Sequence, residues 1–418
     1  MGDTLITAVG RWDSDSVFTL TGNGHKLTSK GGTILLGGAT SGDTALGDIE
    51  VTAGRLGFQN GITLGDPTKT ATVDSGATLT LYALSTSVDK HIALNTATVD
   101  SGGLANTVMG PVNLVANTNT FALRTDLTLN GIVSGLGGFS VQTNFPGAAG
   151  GGGSLHLEAD DTYSGPTILS QGATIYVGSA GAISNSSAIL LNAFSTLDVS
   201  ASAAFNLSAG QTLVGIGTVN GGNTLFGNGS TLAVGISPTA CSTLTVNGSL
   251  SFLAGSTNRL KVNPGASPAY DSVSGMSSVT FGGKLVVTKI GTGSFAAGNS
   301  FQLFSAGTYN SSSFAAYELP TLAPDLGWDT GSLAVDGAIK VIARPQITGA
   351  DRMGDGNIEL TFTGPVGNSY TLWASTNIIK PLSLWDSLGS GTITSSPLTV
   401  PDLTSTNYPQ RFYTISVP

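Results

Sequence analysis

A single cysteine, Cys241, stands in a chain of 418 residues. No intrachain disulfide can form, and a metal site built on several thiolates is excluded. Charge is equally scarce, at 10% of residues, and no run of Lys or Arg occurs. Binding to nucleic acid needs a basic footprint that neutralises phosphates, and the net charge of -9 points the other way. No stretch reaches the roughly 18 apolar residues of a membrane-spanning helix, so membrane insertion is not expected. The opening Met1-Gly2-Asp3-Thr4-Leu5-Ile6 has neither the basic nor the apolar region of a signal peptide. No amphipathic window of helical period carries a capping box. The run Gly150-Gly151-Gly152-Gly153 lacks the Gly-Lys-Ser/Thr of a phosphate loop after it and reads as a junction. No cofactor is implied.

The sequence is rich in glycine, with 59 Gly together with 40% hydrophobic residues. That balance can bury a core, whereas a disordered chain is poor in apolar residues. The apolar period is two: Leu79 and Leu81 alternate with Thr78 and Thr80, and Leu155 and Leu157 with His156 and Glu158. Alternation of this kind marks strands with one buried and one wet face. Thr70-Ala71-Thr72-Val73-Asp74-Ser75-Gly76 recurs letter for letter from Thr96 to Gly102, an offset of 26 residues. Ser-Thr-Leu-x-Val begins at Ser195, Ser230 and Ser242, and Gly-Ala-Thr at Gly38, Gly76 and Gly172. Degenerate strand-turn repeats bury their apolar faces only by stacking, and an offset in the twenties fits one coil of three short strands. The expected fold is all-β, a right-handed parallel β-helix (solenoid) followed by a small C-terminal β-sandwich. A series of antiparallel sandwiches is the alternative.

The segment Leu155-His156-Leu157, Asp161-Thr162-Tyr163-Ser164-Gly165-Pro166-Thr167-Ile168 and Gly172-Ala173-Thr174-Ile175-Tyr176-Val177-Gly178 resembles one autotransporter-associated β-strand repeat. That family's pattern is Leu-x-Leu, then Asn-Thr-Tyr-Ser-Gly-x-Thr, then Gly-Thr-Leu-x-Val. Asp161 stands where Asn is usual, and Ile175 where Leu is. Gly217 to Ile342 is similar to the region downstream of such repeats in large secreted passenger proteins. The resemblance implies a right-handed β-helix displayed outside the cell; it implies no reaction. Only about 75 residues lie beyond Ala343, too few for a translocator barrel, so export by another pathway is expected. Beyond Arg344-Pro345, aromatic residues concentrate: Tyr370, Trp373, Trp385, Tyr408, Phe412 and Tyr413. This part resembles the C-terminal β-sandwich module of secreted proteins of Verrucomicrobia-type bacteria. The expected domains are an N-terminal solenoid over 1–149, a second solenoid part over 150–343, and the sandwich module over 344–418.

β-Helices include glycan-degrading enzymes, which need clustered carboxylates and a base. Asp160 and Asp161 are adjacent and face opposite ways on extended backbone, so they are assigned to the turn of the repeat. His156 and Glu158 share an outward face without nearby cations. His25 and His91 are isolated surface positions, and Cys241 is a small buried or semi-buried residue. Asp351 to Glu359 lacks calcium-loop spacing and reads as a tight hairpin turn around Asp355-Gly356. No catalytic, metal or cofactor residue is assigned. The expected role is an extracellular, structural or adhesive surface protein without catalysis. Its partners are copies of itself and, in the alternative adhesin reading, cell-surface glycans; a polysaccharide-degrading β-helix enzyme is the other alternative. Thr4-Leu5-Ile6-Thr7 is the candidate assembly strand, and Trp373 the candidate for stacking on a sugar ring.

Overall fold

In a computed structural model of the chain, the described residues are 2–14, 21–37, 45–143 and 152–416. Gly38, Gly150 and Gly151 and the expected boundary at 149/150 fall outside them. Contacts divide the chain into two compact units. Residues 1–291, 302–319 and 334–337 form the first, and 292–301, 320–333 and 338–418 the second.

The first unit is a parallel β-solenoid of about eleven turns among the described residues. Its second face carries the longest ladder. Arg11–Ser14 pairs in parallel with 33–36, these with 55–59, and these with Thr78–Tyr82. Thr98–Gly102, Thr118–Leu123 and Gly138–Gln142 come next, and the ladder continues to Ala316–Glu318. A first face runs alongside its early rungs, from Thr4–Thr7 to Val133–Gly135. The third face begins at Asn106–Val108 and ends at Phe304–Tyr309.

Alternation places one side chain in two inside. On the third face Leu127, Leu155, Ile175, Leu197, Val219 and Val246 stack in register, each at most 1% exposed. Each such burial contributes about 1.5–3 kcal/mol, and each column member depends on the rungs above and below it.

The literal heptapeptide repeat does not mark the coil. Thr70–Val73 lies on the first face, where Ala71 sits between Ile49 and Ile92 in register. Its second copy lies on the second face, where Thr98–Gly102 stacks on Thr78–Tyr82. The copies also differ in backbone. Gly76 turns at φ 77° while Gly102 stays in a strand, and Thr96 adopts φ 55° while Thr70 is extended. Coils in this region rise by the 20 to 22 residues that separate Ile49, Ala71, Ile92 and Val112. Tertiary stacking has overridden identical local sequence.

Among the described residues the shorter repeats mark a corner except at Ser242, whose N–H goes to Asp271 Oδ1. Ala77, Ala173, Gln211, Ser230 and Ser256 each donate a backbone N–H to the carbonyl three residues back. Gly76, Gly172, Gly210, Gly229 and Gly255 precede them, with φ between 73° and 83°. The next residue, Thr, opens a strand on the second face in four cases and on the third face at Thr174. Ser195 makes the same turn, but Phe194 occupies the glycine position at φ 60° with 81% of its surface exposed. A bulky side chain is strained in that region by roughly 1–2 kcal/mol. Phe194→Gly is therefore expected to raise the midpoint of thermal unfolding by a few degrees. An unchanged or lower midpoint would show that the ring contributes more than the strain costs.

The second unit contains two three-stranded antiparallel sheets. Gln346–Arg352, Ile358–Thr363 and Leu398–Asp402 form one, and Asp386–Thr392, Ser369–Ser375 and Phe412–Ser416 the other. Between them Leu360, Phe362, Tyr370, Leu372 and Ile393 make a shared core. This is the sandwich expected of the C-terminal module. In the same unit Leu326–Asp329 pairs antiparallel with Ala338–Ala343.

Candidate functional site

The candidate assembly strand, Thr4–Thr7, is the first rung of the first face. It pairs in parallel with residues 27–30, and Thr4 donates its N–H to the Lys26 carbonyl at 2.9 Å. Arg11–Ser14 continues that rung on the second face, with Trp12 in register with Ile34. Ile34 is fully buried and its column points inward, so Trp12 holds a core position at the end of the stack. Half of its surface is nevertheless exposed, as is most of Leu5. Among the described residues no strand lies on the other side of this rung. Among the described residues it therefore presents the backbone groups of a sheet edge beside Trp12, which further stacking would cover; Leu5, in register with Thr28, faces outward.

Asp160 and Asp161, adjacent in sequence, sit in unlike environments. Asp160 is exposed, and Asp161 is buried at 1% exposure. Asp161 Oδ1 accepts the Val133 N–H at 2.7 Å, and its Oδ2 is buried without a hydrogen-bond partner. Burial pushes this carboxyl up to about 7, the Val133 bond opposing and the charge of Asp160 assisting. His156 stacks on Tyr176 of the next rung, ring centres 4.7 Å apart. The repeat-like residues of this segment are structural. Tyr163 is fully buried against Phe139, and its hydroxyl meets Thr167, which also contacts Ser186.

His25 is half-buried near Asp3, and His91 is exposed. Cys241 is buried, and burial pushes its thiol up to about 11, leaving it unreactive near neutral pH. Asp351 to Glu359 forms the expected hairpin turn: Gly356 at φ 88° donates to the Met353 carbonyl, and Met353 to the Asn357 carbonyl. No group of three His, Cys, Asp or Glu side chains that could hold a metal occurs among the described residues. Trp373 is half-buried, its indole N–H donating to Ser416 Oγ at 2.8 Å.

Two charged features are not legible in the sequence. Lys90 is 1% exposed, and its ammonium donates to the carbonyls of Leu46 (3.3 Å), Gly47 (2.8 Å) and Asp66 (2.7 Å). Burial lowers its pKa, and the charges of Asp66 and Asp48 partly offset this. The second is Asp100, buried on the outward side of the second face. Arg55 hydrogen-bonds it from two rungs away, and Arg124 approaches its Oδ1 at 3.6 Å. These partners are brought together only by stacking, 45 and 24 positions apart in sequence.

Compared with known proteins, no family model matches this chain, and no curated protein matches it.

Proposed function

We propose that the chain is a structural protein of the cell exterior, a β-solenoid that self-associates through its first rung and takes no part in catalysis. The observation that carries this reading is the rung itself: Thr4–Thr7 and Arg11–Ser14 are bonded on one side only, and Leu5 and Trp12 lie exposed beside the free edge. A strand of a second copy, added in parallel, would satisfy the edge and cover Trp12. Contact between unlike surfaces is heterologous and makes an open filament unless it closes into a ring. Leu155 to Gly178 is read as a repeat of the autotransporter-associated kind, since its tyrosine, threonine and Asp161 all serve the coil. A secreted location rests on that likeness. Burial of Asp161, with its Oδ1 taken up by the Val133 N–H, supports a role without hydrolysis or elimination.

Light scattering over a concentration series tests the reading. The intact chain is expected to grow in mass with concentration. The variant Ile6→Lys/Trp12→Lys is expected to stay monomeric with unchanged circular dichroism. A monomer mass for the intact chain at high concentration would sink the proposal.

A further inference from the structure

Across the early rungs of the second face lies an open groove of about 550 Å³. Three of the chain's seven arginines line it: Arg11, Arg55 and Arg124. Arg11, Thr33 and Arg55 are in register on successive rungs, and Gln59, Tyr82 and Gly102 form a second line. Parallel rungs are about 4.8 Å apart, so the groove crosses the strands and offers side chains at a regular axial spacing. Two glycines on this face leave room for neighbouring side chains. A Cβ on Gly57 would lie 2.4 Å from Leu35 Cδ2, and one on Gly102 3.3 Å from the Tyr82 ring. Tyr82 therefore lies across Gly102, and 41% of it is exposed.

The lining favours an anion, with three guanidiniums and one carboxylate, that of Asp100. Arg11 is paired with Asp13 at 2.7 Å, and Arg55 and Arg124 both reach Asp100. Asp100 is 3% exposed, so it serves to hold the two guanidiniums over the groove rather than to meet a ligand. A basic groove on a chain of net charge -9 is a local exception, and the acidic remainder would direct a polyanion away from other surfaces. Guanidinium forks suit carboxylate and sulfate groups, and a half-exposed aromatic face suits a sugar ring. Repetition along the axis suits an extended polymer.

We propose that this groove binds an extended anionic polysaccharide laid across the strands, its acidic groups meeting Arg11, Arg55 and Arg124 and one sugar ring resting on Tyr82. The groove shares Arg11 with the rung invoked for assembly, whereas Arg55, Tyr82 and Arg124 lie on later rungs. Light scattering on the same samples, with Arg124→Gln and Tyr82→Ala as the variants that leave that rung untouched, tells failure of one reading from failure of the other.

Isothermal titration in low salt with polygalacturonate, dextran sulfate and neutral dextran tests it. At least one of the two polyanions is expected to bind, and neutral dextran is not; which polyanion binds identifies carboxylate or sulfate as the preferred group. Arg124→Gln and Arg11→Gln are each expected to weaken binding on the order of tenfold, and Tyr82→Ala several-fold. Arg259→Gln, outside the groove, is expected to leave binding unchanged. Rising salt should weaken binding steeply. The proposal is overturned if neither polyanion binds the intact chain, if Arg11→Gln/Arg124→Gln binds as tightly as the intact chain, or if single-stranded DNA binds as tightly as the polysaccharide.

Discussion

Asp161→Asn is expected to raise thermal stability at pH 8 while changing it little at pH 4. The buried carboxyl of Asp161 stays protonated in the fold up to about pH 7, whereas in the unfolded chain it ionises near pH 3.9. Between those values the unfolded state releases a proton that the folded state keeps. Stability is therefore whole below about pH 4, falls as pH rises, and levels off above about pH 7. At about 1.4 kcal/mol per pKa unit the loss approaches about 4 kcal/mol. Asn removes the titration and keeps a carbonyl oxygen for the Val133 N–H. It is also the residue usual at this place in the repeat that the segment resembles. Melting curves from pH 4 to pH 9 are the check. Parallel pH profiles for the two proteins would show that Asp161 does not carry the dependence.

Lys90→Met is expected to destabilise the early coils by about 2–4 kcal/mol. The substitution keeps most of the side-chain volume but strips the Leu46, Gly47 and Asp66 carbonyls of a charged donor. The Leu46 carbonyl keeps the Asp66 N–H and the Asp66 carbonyl the Lys69 N–H. The loss is therefore of the charge-assisted bonds, about 1.5–3 kcal/mol each, and relief of the desolvated ammonium offsets part of it. Because each coil contacts only its neighbours, the damage should stay local. Amide exchange should accelerate over residues 45–66 and 84–94 and remain unchanged over 155–262. A uniform increase across the solenoid, or none, would contradict the assigned role of this lysine.

The sequence reveals the strands, because alternation at Leu155–His156–Leu157 reports directly which side is buried. The solenoid itself is legible in the repeats. The pitch is not, for the repeat that looks most telling spans a move from one face to the next, and its two copies fold differently at Thr96 and Gly76. The short Gly-x-Thr signals report a corner, whose left-handed residue is set by backbone geometry alone. The buried charges stay hidden for a different reason. Lys90 meets Leu46 and Gly47 two coils away, and Asp100 meets Arg55 likewise. Such partners are found only once the coil length is known, and here it varies from 20 to 28 residues along one column.

The corner has a consequence for how a chain like this can lengthen. Ser170 to Val177 and Ser208 to Gly215 pair the same turn with the same kind of strand, yet the first strand stands on the third face and the second on the second. The inheritable piece is then a fraction of a coil, indifferent to which side of the prism it occupies. Duplicating one such piece shifts every later strand to the neighbouring side, and only duplications that complete a circuit restore the inward columns. Growth by gene duplication would proceed in small steps that are tolerated at some lengths and lethal at others, which leaves partial, out-of-phase sequence echoes like the heptapeptide at Thr70 and Thr96.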